Sequence, residues 1–199
     1  MLARASLFVA LALATPTMAQ EIACEGAFAI DSSEARLIEI YGADNVVTGI
    51  VPGPEGTEML ATTVFPDDAE QSLQFVWWDE EGLSGPSYIE LPAGIVAPGG
   101  VRVDQSLAEV EALNGEPFSL LGFGWDYGGS AGFETGALSD LAGDCNLNLR
   151  FDANFYPQDV DTLPTQGDVV LSSDDPLLAR MQVRIYGMSI GYPHPDFRD

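Results

Sequence analysis

The stretch VRVDQSLAEVEALNGEP, residues 101–117, holds the start, the apolar face and the stop of one short helix. Asp104 and Ser106 both offer side-chain oxygens to the free amides of a first helical turn. Leu107, Val110 and Leu113 recur at helical spacing. Gly115 followed by Pro117 stops the element, because Gly accepts the left-handed cap conformation and Pro cannot continue the helix. The same plan stands 73 residues earlier, where Asp31, Ser33, Leu37 and Gly42 correspond to Asp104, Ser106, Val110 and Gly115. There Ser32 or Ser33 caps, Glu34 favours the first turn, and Leu37, Ile38 and Tyr41 form the stripe.

A turn-rich stretch and then strand-like residues follow each helix. In the first half these are Thr62–Phe65 and Leu73–Trp78; in the second they are Phe118–Trp125 and Leu147–Phe151. In the last of these Leu147, Leu149 and Phe151 alternate with Asn148 and Arg150, the period of a half-buried strand. Val169–Leu171 and the run Val183, Ile185, Tyr186 add two more strands. Between them Ser173 or Asp174 caps a turn through Pro176, Leu177 and Leu178, and Gly191–Asp199 is a Pro-rich tail. The expected fold class is α+β, an antiparallel sheet with short helices built from two tandem pseudo-repeats. These span about 27–97 and 98–165, with a C-terminal strand region over 166–199, all within a single domain of residues 20–199.

Ser106, Glu109, Val110, Gly115 and Pro117 resemble the recurring unit of the small outer-membrane assembly lipoproteins of the BamE/SmpA type, in which a Ser- or Thr-capped helix with a Glu-Val pair and a terminal Gly-x-Pro leads into a sheet. The tandem use of such units is also similar to the secreted β-lactamase-inhibitor proteins. The resemblance covers about 17 residues well and the first repeat loosely. It implies a noncatalytic binding architecture and names no ligand, because fold and function are separable.

Residues 1–19 read as an export signal. Arg4 gives a positive start, Leu7–Ala14 is an apolar run, and Thr17-Met18-Ala19 is a small-x-small cleavage site. A rival reading places a lipid attachment at Ile22-Ala23-Cys24, against which Glu21 stands where such sites want Leu. The apolar run is short of the roughly 20 residues that span a bilayer. The expected location is therefore periplasmic or secreted, with no membrane insertion. In an oxidising compartment Cys24 and Cys145 are expected to form one disulfide, closing a loop long enough to contribute about 4 to 5 kcal/mol in the chain-entropy model.

The chain has 31 acidic residues against 7 basic ones, all of them Arg, for a formal charge of −24. That excess excludes nucleic acid and anionic membranes as partners, since both need a basic face. It also suits a salt-rich environment, where repulsion between like charges is screened over about 10 Å or less.

Phe123–Gly129, FGWDYGG, is the most unusual stretch for recognition. On a strand end, Trp125 and Tyr127 would share one face and Asp126 the other, and such aromatics bury large area at low entropic cost. The competing arrangement places both rings in the core, with Asp126 capping a turn. Trp77-Trp78-Asp79 in the first half holds a related place: one Trp faces the core, and Trp78 is the candidate second anchor. The expected function is noncatalytic binding of a protein or cell-envelope component through Trp78, Trp125, Asp126 and Tyr127. The alternative is a cell-wall or polysaccharide hydrolase using a carboxylate pair near Asp126, and a third reading is a carbohydrate-binding module.

The acid pairs Asp67-Asp68, Asp79-Glu80-Glu81, Asp159 with Asp161, and Asp174-Asp175 lack the ligand spacing of a calcium loop and read as solvated turns. His194 sits between Pro193 and Pro195, a poor setting for a catalytic base. No Gly-x-Ser-x-Gly elbow and no phosphate-binding loop occur, so no catalytic residue, metal or cofactor is expected.

Overall fold

Two serines open the two main helices. Ser33 caps α1 (Glu34–Tyr41), its Oγ accepting from the Arg36 amide at 3.3 Å, and Gly42 ends it at φ 86°. Ser106 caps α2 (Leu107–Asn114) with a reciprocal box: its Oγ accepts from the Glu109 amide, and the Glu109 carboxylate accepts from the Ser106 amide at 2.8 Å. Gly115 then takes the left-handed conformation that ends α2. A third helix, α3 (Pro176–Arg180), is capped by Asp175 rather than by Ser173 or Asp174, because Pro176 at the first helical position fixes Asp175 as the flanking residue. The computed structural model describes residues 21–198, so the export signal expected over 1–19 lies outside them.

Among the described residues nine strands form a single antiparallel sheet: β1 (Val46–Pro52), β2 (Glu58–Val64), β3 (Leu73–Asp79), β4 (Ser84–Leu91), β5 (Ser119–Leu121), β6 (Ser130–Ala131), β7 (Asn146–Asp152), β8 (Val170–Ser172) and β9 (Arg184–Gly191). Their order across the sheet is β1-β2-β3-β4-β9-β7-β6-β5-β8. The fold is thus α+β, with three short α-helices and one disulfide among the described residues.

The order describes two meanders, β1-β2-β3-β4 and β5-β6-β7-β9, each preceded by its helix and joined where β4 pairs with β9. Each helix cap bridges to the first residue of its meander's last strand, Ser33 to Ser84 and Ser106 to Arg184. Each meander also carries a register shift between its third and fourth strands, at Val76/Trp77 and at Arg150/Phe151, 74 positions apart. β9 lies in the C-terminal region of the sequence yet completes the second meander. The chain reaches it through residues 153–183, which carry β8 and α3.

Phe118–Trp125 does not continue as a strand. The β5 ladder stops at Leu121, an isolated bridge joins Phe123 to Gln166, and the chain then turns through Gly124–Gly129. Close backbone approach forces this turn: a Cβ at Gly129, φ 69°, would sit 1.8 Å from the Phe151 carbonyl oxygen.

Leu37 of α1, Leu107 and Val110 of α2 and Leu178 of α3 join Phe75, Ile89, Leu147, Leu149, Phe151 and Ile190 in one buried cluster. Cys24 and Cys145 are disulfide-bonded with Cα atoms 6.2 Å apart, tying the segment before α1 to the start of β7 across 121 residues of chain. Among the described residues no helix is long and apolar enough to cross a membrane.

Candidate functional site

Side chains alternate along each strand, so residues between the buried ones point to the opposite face of the sheet. Register places Val47, Thr63, Gln74, Glu90, Ser189 and Asn148 in one rung across six strands of that face. The next rung is Gly49, Ala61, Val76, Tyr88, Gly191 and Asn146. On the other side Arg150 pairs with Gly187 and Ser130. An open depression of about 1050 Å³ occupies this face, lined among others by Tyr88, Glu90, Ser130, Asn146, Asn148 and Arg150. The Tyr88 hydroxyl donates to Met59 Sδ at 3.1 Å, so its ring reaches past β3 towards β2.

Glu90 reaches solvent at the mouth of the depression, yet protein atoms ring it. This partial desolvation pushes its pKa above the ordinary carboxylate value, against a downward pull from the Arg150 charge. Among the described residues its carboxylate has no hydrogen-bond partner. Arg150 is committed elsewhere: Nε donates to the Tyr186 hydroxyl at 3.0 Å, a terminal guanidinium nitrogen donates to the Asp126 carbonyl at 2.5 Å, and the guanidinium carbon lies 5.9 Å from the centre of the Tyr186 ring.

That clamp organises the FGWDYGG stretch. Trp125, Asp126 and Tyr127 sit in the turn between β5 and β6, where strand alternation does not apply. The Trp125 and Tyr127 rings meet edge to face with centres 5.4 Å apart, and Trp125 Nε1 donates to the Gly122 carbonyl. Tyr127 is 44% exposed, Tyr186 is 53% exposed and Trp125 is half-buried. The Asp126 side chain is exposed, and its backbone carbonyl makes the contact with Arg150.

Trp78 belongs to a different group. Its neighbour Trp77 points into the core and donates to Thr62 Oγ1 at 2.9 Å, whereas Trp78 is 38% exposed. Trp78 Nε1 donates to the Tyr192 carbonyl, and its ring stands edge-on to His194 with centres 4.8 Å apart. The Tyr192 hydroxyl donates to the buried Phe28 carbonyl, and burial pushes its pKa up. Tyr192 follows the end of β9 and Tyr186 lies near its start, roughly 20 Å apart at strand rise. The structure therefore brings Trp125, Tyr127 and Tyr186 together around Arg150 and sets Trp78 at the opposite end of β9.

The acid pairs hold turns and one another's neighbours. Asp68 accepts from Glu70 and Gln71, and Asp79 accepts from the Gly82 amide and Ser84, which lowers its pKa. Asp159 is paired with Arg180 at 2.6 Å, which lowers its pKa, and Asp175 caps α3. Among the described residues no group of three His, Cys, Asp or Glu side chains converges as a metal site.

The residues that sequence reasoning missed are Tyr88, Glu90, Gln74 and Ser189. The Gly85-Pro86 pair at the start of β4 hid that strand, and with it the alternation that turns Tyr88 and Glu90 outward. No family model, no curated protein and no solved structure matches this chain.

Proposed function

We propose that this is an exported, noncatalytic binding protein that holds a protein partner on the open face of its sheet. The observation that carries this reading is the contrast between the two faces: one buries the core, while the other leaves an open depression whose lining mixes amide and hydroxyl side chains with apolar ones. Aromatic residues stand at both ends of β9, with Tyr127 and Tyr186 at one and Trp78 at the other, so a partner spanning the face would meet rigid anchors at each margin. The export signal read over residues 1–19, the disulfide and the BamE/SmpA-type resemblance of residues 101–117 accord with a periplasmic or secreted binding role. Hydrolysis by a carboxylate pair near Asp126 has less support, because Asp126 does not line the depression, whose carboxyl groups among the described residues are Glu90 and Glu134.

The test is affinity capture from cell-envelope extract, comparing the protein with a Ser189→Arg variant, which puts a long charged side chain into the face, and with Trp125→Ala. The expected result is one partner lost with Ser189→Arg and weakened with Trp125→Ala. A partner retained by Ser189→Arg, or none at low and high salt, would overturn the reading. Capture of a polysaccharide instead would favour a carbohydrate-binding module.

A further inference from the structure

We infer that the depression takes a basic side chain of the partner, an ammonium or guanidinium group, onto Glu90. This rests on the open-face reading and names the chemistry that the face selects. Glu90 stands in the middle of a six-strand rung whose other polar members, Thr63, Gln74, Ser189 and Asn148, are all uncharged. Its neighbours Gln74 and Ser189 lie directly across β3 and β9, about 5 Å away between Cβ atoms, and offer amide and hydroxyl oxygens to a multi-donor cation.

Arg150, whose charge acts on Glu90, does not satisfy it: its guanidinium is drawn to Tyr186 and Asp126, and among the described residues it forms no ion pair with Glu90. The site differs in this from Asp31 and Asp159, each held by its own Arg. A carboxylate that is open to solvent yet partly desolvated gains more from an incoming cation than one in bulk water, since the surroundings screen the pair less. The overall charge of −24 adds long-range attraction for a basic partner.

The groups that face Glu90 fix the sign of the pH dependence. Arg150 from β7 and Tyr88 from its own strand are the ionisable neighbours, β3 and β9 present uncharged Gln74 and Ser189, and Glu134 lies on the loop after β6. A bound cation favours the ionised carboxyl, so binding strengthens as pH rises through the raised pKa of Glu90 and levels off above it.

The probe is arginine amide with its α-amino group acetylated, and the uncharged analogue of the same shape is citrulline amide acetylated in the same way, so that the side chain carries the only difference in charge. Binding is followed by NMR of the Glu90 side-chain carboxyl and of the amides of Gln74, Ser189 and Asn148, in about 0.15 M NaCl. The expected result is saturable shifts at these residues with arginine amide, about tenfold weaker with citrulline amide. Glu90→Gln, which keeps the shape and removes the charge, is expected to lower arginine amide affinity about tenfold and to flatten its pH dependence. Equal response to both probes would overturn the cation assignment and leave a neutral polar site. Shifts spread over Asp67-Asp68 and Asp174-Asp175 but absent from the rung would overturn it in favour of diffuse attraction. A partner captured by Glu90→Gln yet lost with Ser189→Arg would sink the Glu90 role while the open-face reading stands.

Discussion

Trp77 in the first meander and Phe151 in the second occupy the same station, the inward residue beside the register shift between third and fourth strands. Both are buried, at 2% and 0% exposure. Trp77 brings a polar N–H into the core, and a chain of side chains receives it: Trp77 donates to Thr62, Thr62 meets Thr48 at 2.6 Å, and Thr48 donates to Glu34 of α1. Phe151 needs no such chain and stacks on Phe118, ring centres 5.7 Å apart. Backbone topology and bulge are kept while the chemistry of the core is exchanged. A polar solution fails when one member is missing, whereas an apolar one fails in proportion to the volume lost.

The largest effect comes from cutting the covalent tie between the two regions. Cys24 precedes the first helix and Cys145 leads into β7, so the double change Cys24→Ser, Cys145→Ser frees a 121-residue loop. The expected loss is about 4 to 5 kcal/mol in the chain-entropy model, measured by denaturant unfolding with and without reductant. A loss below about 1 kcal/mol would show that the non-covalent contact between β4 and β9 holds the meanders together unaided.

Phe151→Ala comes next, at about 3 to 5 kcal/mol, because a stacked aromatic leaves a cavity that its neighbours fill only in part. In the first meander Thr62→Val keeps the volume but orphans the Trp77 N–H, for an expected loss of about 1 to 3 kcal/mol. Adding Trp77→Phe removes the donor too and brings the station closer to its counterpart at Phe151. The double variant is then expected to lose less than the sum of the single changes. Strict additivity in that cycle would break the contrast between polar and apolar stations.

These stations were only partly legible beforehand. The caps were the clearest signal, because Ser33, Gly42, Ser106 and Gly115 act through local hydrogen bonds that need no tertiary partner. β7 was legible through the alternation of Leu147, Leu149 and Phe151. β1 and β4 were not, since Gly49 and Pro52 in one and Gly85-Pro86 in the other read as turn residues. Edge position tolerates such breakers in β1, and the extra residue opposite the Val76/Trp77 step accommodates Pro86 in β4. The aromatic residues stood out by composition, but their grouping did not. Trp125 and Tyr127 meet Tyr186 through an arginine 25 residues from Trp125, and Trp78 meets a tail more than a hundred residues away, contacts that only the completed sheet creates.

The smallest effect tests whether the two helices are equivalent as well as similarly placed. Both begin at a serine, yet only α2 has Glu109 at the third helical position to return a hydrogen bond to the cap amide. In α1 that position is Arg36, which is turned to Asp31 at 2.6 Å, while Glu34 is taken by Thr48. Ser106→Ala therefore removes one half of a reciprocal pair and leaves the Glu109 carboxylate with a single cap donor, whereas Ser33→Ala removes one bond of 3.3 Å. The expected losses are about 1 to 2 kcal/mol for Ser106→Ala and about 0.5 to 1 kcal/mol for Ser33→Ala, read as shifts in unfolding midpoint at constant slope. The Glu109 carboxyl is held below its ordinary pKa by the two Ser106 hydrogen bonds, so its contribution is present at neutral pH and lost as pH falls through that lowered pKa. The gap between the two variants should accordingly narrow in acid, and a gap that persists unchanged there would place the difference in packing of the helices rather than in their caps.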